Sequence, residues 1–119
     1  MLINLSNHPS TSWSFQQLEA AQTYDEIVDL PFPIVDPEAD ETDIATLSEE
    51  YFLKIKQVSS GKKVVVHLMG EMTLSFNLIQ RLKDADITCI ASTSERIIKE
   101  IDSGKKEVTF QFKRFRKYV

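Results

Sequence analysis

The chain predicts a single α/β domain on a mostly parallel central sheet with helices on both faces, and three observations predict it. Short apolar runs alternate with amphipathic stretches along the chain, the pattern of successive βαβ units. Val64 to Leu68 is the most apolar run and does not alternate, as a central strand covered on both faces should not. Glu107 to Phe115 does alternate, through Val108, Phe110 and Phe112, the period of a half-exposed strand near a sheet edge. With 119 residues, 42% hydrophobic and 27% charged, the chain can close one core over residues 1–119 without disulfide or metal staples.

Leu2 to Leu5 is apolar and ends in the turn cluster Ser6-Asn7-His8-Pro9-Ser10, which makes it a buried first strand. Ser14-Phe15-Gln16-Gln17 reads as a capping box, with Trp13 placed to staple onto Leu18, so a helix is expected from Phe15 to Thr23. Glu26 to Leu30 is a second short strand, closed by Pro31 and Pro33, which cannot donate to a ladder. From Glu41 to Ser59, Ile44, Leu47, Tyr51, Ile55 and Val58 recur at spacings of three and four, one stripe of a long helix. Gly61 stops it, Lys63 to Leu68 follows as the central strand, and Gly70 turns into a helix from Thr73 to Asp84. Ile87 to Ala91 is a fourth strand. Ser92-Thr93-Ser94-Glu95 reads as another capping box, opening a short helix through Ile97, Ile98 and Ile101 that Gly104 ends.

Charge is divided along the chain. There are 11 acids and no lysine or arginine up to Leu53, then 14 bases against 7 acids from Lys54 onward. Such a split gives oppositely charged faces that remain solvated, steer an anionic ligand or dock subunits. The single cysteine, Cys89, allows neither a disulfide framework nor a cysteine-based zinc site, which suits a reducing, cytoplasmic setting. The start MLINLSNHPS has no basic n-region, and no apolar run approaches a membrane span. The basic and aromatic end from Lys113 to Tyr118 has a pattern that attracts nucleic acid through phosphate charge and base stacking, but reads more simply as the solubilising end of an edge strand, and duplex DNA is not an expected partner. The phosphate-loop, dinucleotide-loop and H-E-x-x-H signatures are all missing, so no cofactor and no metal are expected.

If the third strand lies beside the first, a topological switch point falls between them, and open α/β sheets bind ligands there. The loops at that point are Ser6 to Trp13 and Met69 to Thr73, with Ser92 to Arg96 alongside. They carry Asn7, His8, Ser10, Thr11, Gly70, Glu71, Thr73, Ser92, Thr93, Ser94 and Arg96, many hydroxyls and amides with one histidine, one glutamate and one arginine, a set suited to sugar, base and phosphate. Helix N-termini after these loops would add backbone N–H donors. Simpler roles stand beside these. Ser14, Thr73 and Ser92 can cap helices, His67 reads as a hydrogen-bonded core histidine, and Glu71 fits a structural or partner-binding role because a carboxylate repels phosphate. Arg96 reads equally as a phosphate clamp or a helix-surface charge.

A first strand running into Ser6-Asn7-His8-Pro9, a middle strand ending in Met69-Gly70-Glu71-Met72-Thr73 and a later one ending in Ala91-Ser92-Thr93-Ser94-Glu95-Arg96 form a recognisable series. From Met1 to Arg96 the chain resembles the small stand-alone CRISPR-associated proteins of the CARF (CRISPR-associated Rossmann fold) type. The resemblance implies a Rossmann-like domain, a homodimer, and a cyclic oligoadenylate bound across its two-fold axis. Several such proteins are ring nucleases, which linearise the messenger through metal-independent attack of a ribose 2′-OH and so switch off type III CRISPR immunity. Carried to this chain, it implies catalytic roles for His8 and Asn7. Ser10, Thr11, Gly70, Glu71, Thr73, Ser92, Thr93 and Arg96 would hold the ligand. A non-catalytic sponge or sensor and a small interaction subunit are the alternatives.

Overall fold

The computed structural model describes all residues from Met1 to Val119. In chain order they form β1 (Leu2–Ser6), a helical turn (Ser10–Ser12), α1 (Phe15–Ala21), β2 (Ile27–Asp29) and α2 (Glu41–Ser59), then β3 (Val65–Met69), α3 (Met72–Asp84), β4 (Thr88–Asp102) and β5 (Lys105–Lys117). One five-stranded sheet has the order β2-β1-β3-β4-β5. The first four strands are parallel, and β4 pairs with β5 antiparallel. The chain is therefore a mixed α/β fold with β3 central, as its apolar run predicts.

Strand alternation sorts the core into two layers. Ile3, Leu5, Val66, Leu68 and Cys89 point to the face covered by α2 and α3, where Ile55, Leu74, Leu78 and Leu82 are fully buried. The α2 stripe expected from its spacing lies in this layer, and Asp40 caps the helix by accepting from the Asp43 N–H while the Asp43 carboxylate accepts from the Asp40 N–H. Leu2, Val65 and Ile90 point to the opposite face, where Trp13 and Ala21 from the α1 region cover them. Helices thus lie on both faces. On that second face β1 and β3 also carry polar side chains, because Asn4 sits opposite His67 in the ladder.

The expected helix after Ser92 is not formed. Thr88 to Asp102 is one strand, and its pairing with β5 carries Arg96 opposite Phe110, Ile97 opposite Thr109 and Ile98 opposite Val108. The β-branched residues that looked like a helical stripe satisfy a pleated ladder instead, and Gly104, at φ +87°, forms the hairpin turn. Since β3 pairs with β4 only over Val65 to His67, the outer part of the β4–β5 hairpin projects as a two-stranded arm. It leaves Ile98, Ile101, Val108 and Phe110 exposed. The radius of gyration, 16.2 Å, exceeds the roughly 13.5 Å of a compact domain this long.

No helix of the chain is long and apolar enough to cross a membrane.

Candidate functional site

The order β2-β1-β3 puts the switch point between β1 and β3, and a polar cleft of about 430 Å³ opens there. Ser6, Asn7 and His8 come from the end of β1, Met69 and Gly70 from the end of β3, and Ser92 and Ser94 from β4. Ser12, Trp13 and Gln17 close the side nearest α1, and His67 forms the floor. Gly70 is required by close approach, since a Cβ there would overlap the Phe32 ring. No lysine, arginine or carboxylate lines the cleft. The backbone N–H of Asn7 continues the β1–β3 ladder toward Met69, whereas that of Gly70, past the last paired residue of β3, lies beyond the ladder at the cleft.

Beneath the cleft runs a continuous hydrogen-bonded chain. Asp29 is an acceptor only, so Asn4 turns its amide nitrogen toward it: Asn4 Nδ2 donates to Asp29 Oδ1 at 2.9 Å and to the His8 carbonyl at 2.8 Å. Asn4 Oδ1 then faces Ser6 Oγ at 2.8 Å and His67 Nδ1 at 2.9 Å. Nδ1 must donate to that oxygen, which leaves Nε2 as the acceptor, 2.7 Å from Ser92 Oγ. Gln17 Nε2 donates to the same hydroxyl at 3.0 Å. Ser14 still caps α1 through the Gln17 N–H, but the Gln17 side chain has left the expected capping box for the cleft.

His67 is buried and boxed by aromatic rings, with Trp13 at 5.2 Å and Phe115 at 5.6 Å between ring centroids. Trp13 thus goes to the sheet, and its indole N–H donates to the His8 carbonyl. Burial pushes the His67 imidazole down to about 4, so it is neutral near pH 7. Burial also opposes ionisation of Asp29, but hydrogen bonds from Asn4 and Ser10 outweigh it and hold that carboxyl below its ordinary value.

The structure brings together Asn7, His8, Gly70 and Ser92 from the sequence-predicted set and places the others elsewhere. Ser10 binds the Asp29 carboxylate through its N–H and hydroxyl, and Thr11 lies exposed in the helical turn beside it. Glu71 caps α3, accepting from the N–H groups of Leu74 and Thr73 and from the Thr73 hydroxyl, and these bonds hold its carboxyl below the ordinary value. The donors expected to hold phosphate at that helix end are thus taken by the chain's own carboxylate. Thr93 is turned to the Arg114 backbone at a bulge. Arg96 stands on the arm, where a strand has replaced the expected helix. A larger, more apolar groove of about 750 Å³ runs along α3 past Met72 and Phe76 to Tyr118, and holds none of the polar chain.

A family model described as the uncharacterized protein MJ1673 family matches residues 1–116. The chain belongs to that family. No curated protein and no solved structure matches it. In this MJ1673-family chain the residues that sequence reasoning missed are Gln17 in the cleft wall and Asn4 beneath it, with His67 read only as core, while Ser6, Trp13 and Ser94 lie in the loops expected there. One signal could have found Asn4 and His67: both are polar, inside strands that the switch-point argument makes neighbours.

Proposed function

We propose that the cleft binds a cyclic oligoadenylate across the two-fold axis of a cytoplasmic homodimer, in a Rossmann-like domain of the CARF type, and opens the ring without a metal. Type III CRISPR signalling would end with the messenger. The observation that carries this reading is the lining itself, hydroxyls, amides, two imidazoles and an indole gathered at three strand ends, with the Gly70 backbone at its edge for a phosphate oxygen. Such groups bind ribose and base by hydrogen bonding and stacking. A cleft of about 430 Å³ lies toward the small end of ligand pockets, so a ring of several nucleotides calls for two copies.

In the step itself the ribose 2′-OH attacks the neighbouring phosphate, and the protein holds the attack in line. Ser92 and Gly70 hold ribose and phosphate, and His8, with Asn7 beside it at the mouth, protonates the departing 5′ oxygen. A second reading, retention of the intact ring as a sponge or sensor, is favoured by the lack of any lysine or arginine in the lining to stabilise charge at the reacting phosphate.

Incubation with cyclic tetra-adenylate or cyclic hexa-adenylate in EDTA tests the reading. Linear oligoadenylates ending in a 2′,3′-cyclic phosphate are expected, and His8→Ala should lower turnover on the order of 100-fold while changing affinity little. Light scattering should give twice 13.6 kDa. Intact ring recovered after heat release would establish the sponge, and a monomer with ligand bound would contradict the shared site.

A further inference from the structure

The buried hydrogen-bonded chain has a direction, set at one end by a group that can only accept. Asp29 orients Asn4, Asn4 Oδ1 fixes the proton of His67 on Nδ1, and Nε2 is left to receive the hydroxyl proton of Ser92 at 2.7 Å. One lone pair of Ser92 Oγ is taken by Gln17. The other is free, and Ser92 lines the cleft. A hydroxyl entering the cleft therefore meets an oxygen that can accept its proton and whose own proton is already aimed at a base.

We propose that Ser92 and His67 are the general base of ring opening: Ser92 Oγ takes the proton of the attacking ribose 2′-OH as its own proton passes to His67 Nε2. The proposal rests on the cleavage reading and assigns its base. The 2′ oxygen forms a bond to phosphorus while the bond from phosphorus to the 5′ oxygen of the next nucleotide breaks. That 5′ oxygen leaves with a proton from His8, and once product departs the proton on His67 returns to solvent through Ser92 while His8 takes one up from solvent. The product is an isomer of the ring, so no water and no further reactant is consumed. Within the buried hydrogen-bonded chain, Ser92 is the residue that touches substrate. His67, Asn4 and Asp29 act through it.

The groups facing His67 are Asn4 from β1, Ser92 from β4, Phe115 from β5, and Trp13 ahead of α1, none of them charged. Asp29 stands one step away, behind Asn4. With the imidazole at about 4, the base is free of its proton across the neutral range. Enzymes use general bases of similar strength, such as a carboxylate of pKa about 4.6.

Single-turnover cleavage of cyclic tetra-adenylate and cyclic hexa-adenylate in EDTA decides it, with wild type, Ser92→Ala, Ser92→Thr and His67→Gln compared after circular dichroism confirms folding. Ser92→Ala and His67→Gln should slow cleavage on the order of 100-fold with little change in KM, and Ser92→Thr, which keeps a hydroxyl, should recover most of the rate. The wild-type kcat/KM profile should fall on its acid side near pH 4, a limb missing from the residual activity of His67→Gln. Wild-type cleavage with Ser92→Ala unimpaired would overturn the assignment and leave the cleavage reading standing. A ring left uncut by wild type would overturn that reading, and the assignment with it.

Discussion

Asn4→Ala should destabilise the fold by about 3 kcal/mol, more than its small volume suggests, since each buried polar group left without a partner costs roughly 1–3 kcal/mol. The truncation strips His67 Nδ1–H of its acceptor, and Asp29 and the His8 carbonyl of a donor, in a region where Asn4 and His67 are each 2% exposed. Urea unfolding should show a lower midpoint at unchanged slope. A midpoint within experimental error of wild type would mean that the chain of hydrogen bonds contributes nothing to stability.

Stability should also fall steeply between pH 6.5 and 4, because of His67. The folded imidazole sits at about 4 against an ordinary 6.5, so in that window the unfolded chain binds a proton that the folded chain refuses. Stability is full above the unfolded value, declines as pH drops through the window and levels off below it. The difference is roughly 3 kcal/mol, at about 1.4 kcal/mol per pKa unit. Asp29 and Glu71 are held below their ordinary values of 3.8 and 4.5, so their contributions begin to fade only at the acid end of this window and are lost below it. Melting temperatures at pH 7.5 and pH 4.5 should therefore separate more for wild type than for His67→Gln. Equal separations would place the acid sensitivity elsewhere.

What was legible in the sequence follows from which forces are local. The stripe from Ile44 to Val58 lies on one helix whose ends, Glu41–Ser59, match its caps, because periodicity and capping are properties of neighbouring residues. The position of the cleft was legible only on the condition that the third strand lies beside the first, which apolar runs leave open and the parallel pairing of β1 with β3 meets. Residues 92 to 101 went astray because Ser92-Thr93-Ser94-Glu95 carries a capping signal and Ile97, Ile98 and Ile101 share helical spacing. The strand wins through pairing with residues that lie beyond Gly104 in the chain. Glu71 was placed at a ligand loop, whereas a carboxylate three residues before Leu74 serves the helix's own amides. The partnership of Asn4, His67 and Ser92 spans 63 and 25 positions, and only the sheet order brings it together.

The most direct test of the account is the melting temperature of the purified protein with cyclic tetra-adenylate or cyclic hexa-adenylate in EDTA. A ligand at about 100 times its dissociation constant adds roughly 2.7 kcal/mol. For a chain of this size that is a rise on the order of 10 °C. Such a rise is expected with one of the two rings, with amide shifts centred on Asn7, His8, Gly70 and Ser92. An unchanged melting temperature with both rings at millimolar concentration would contradict it.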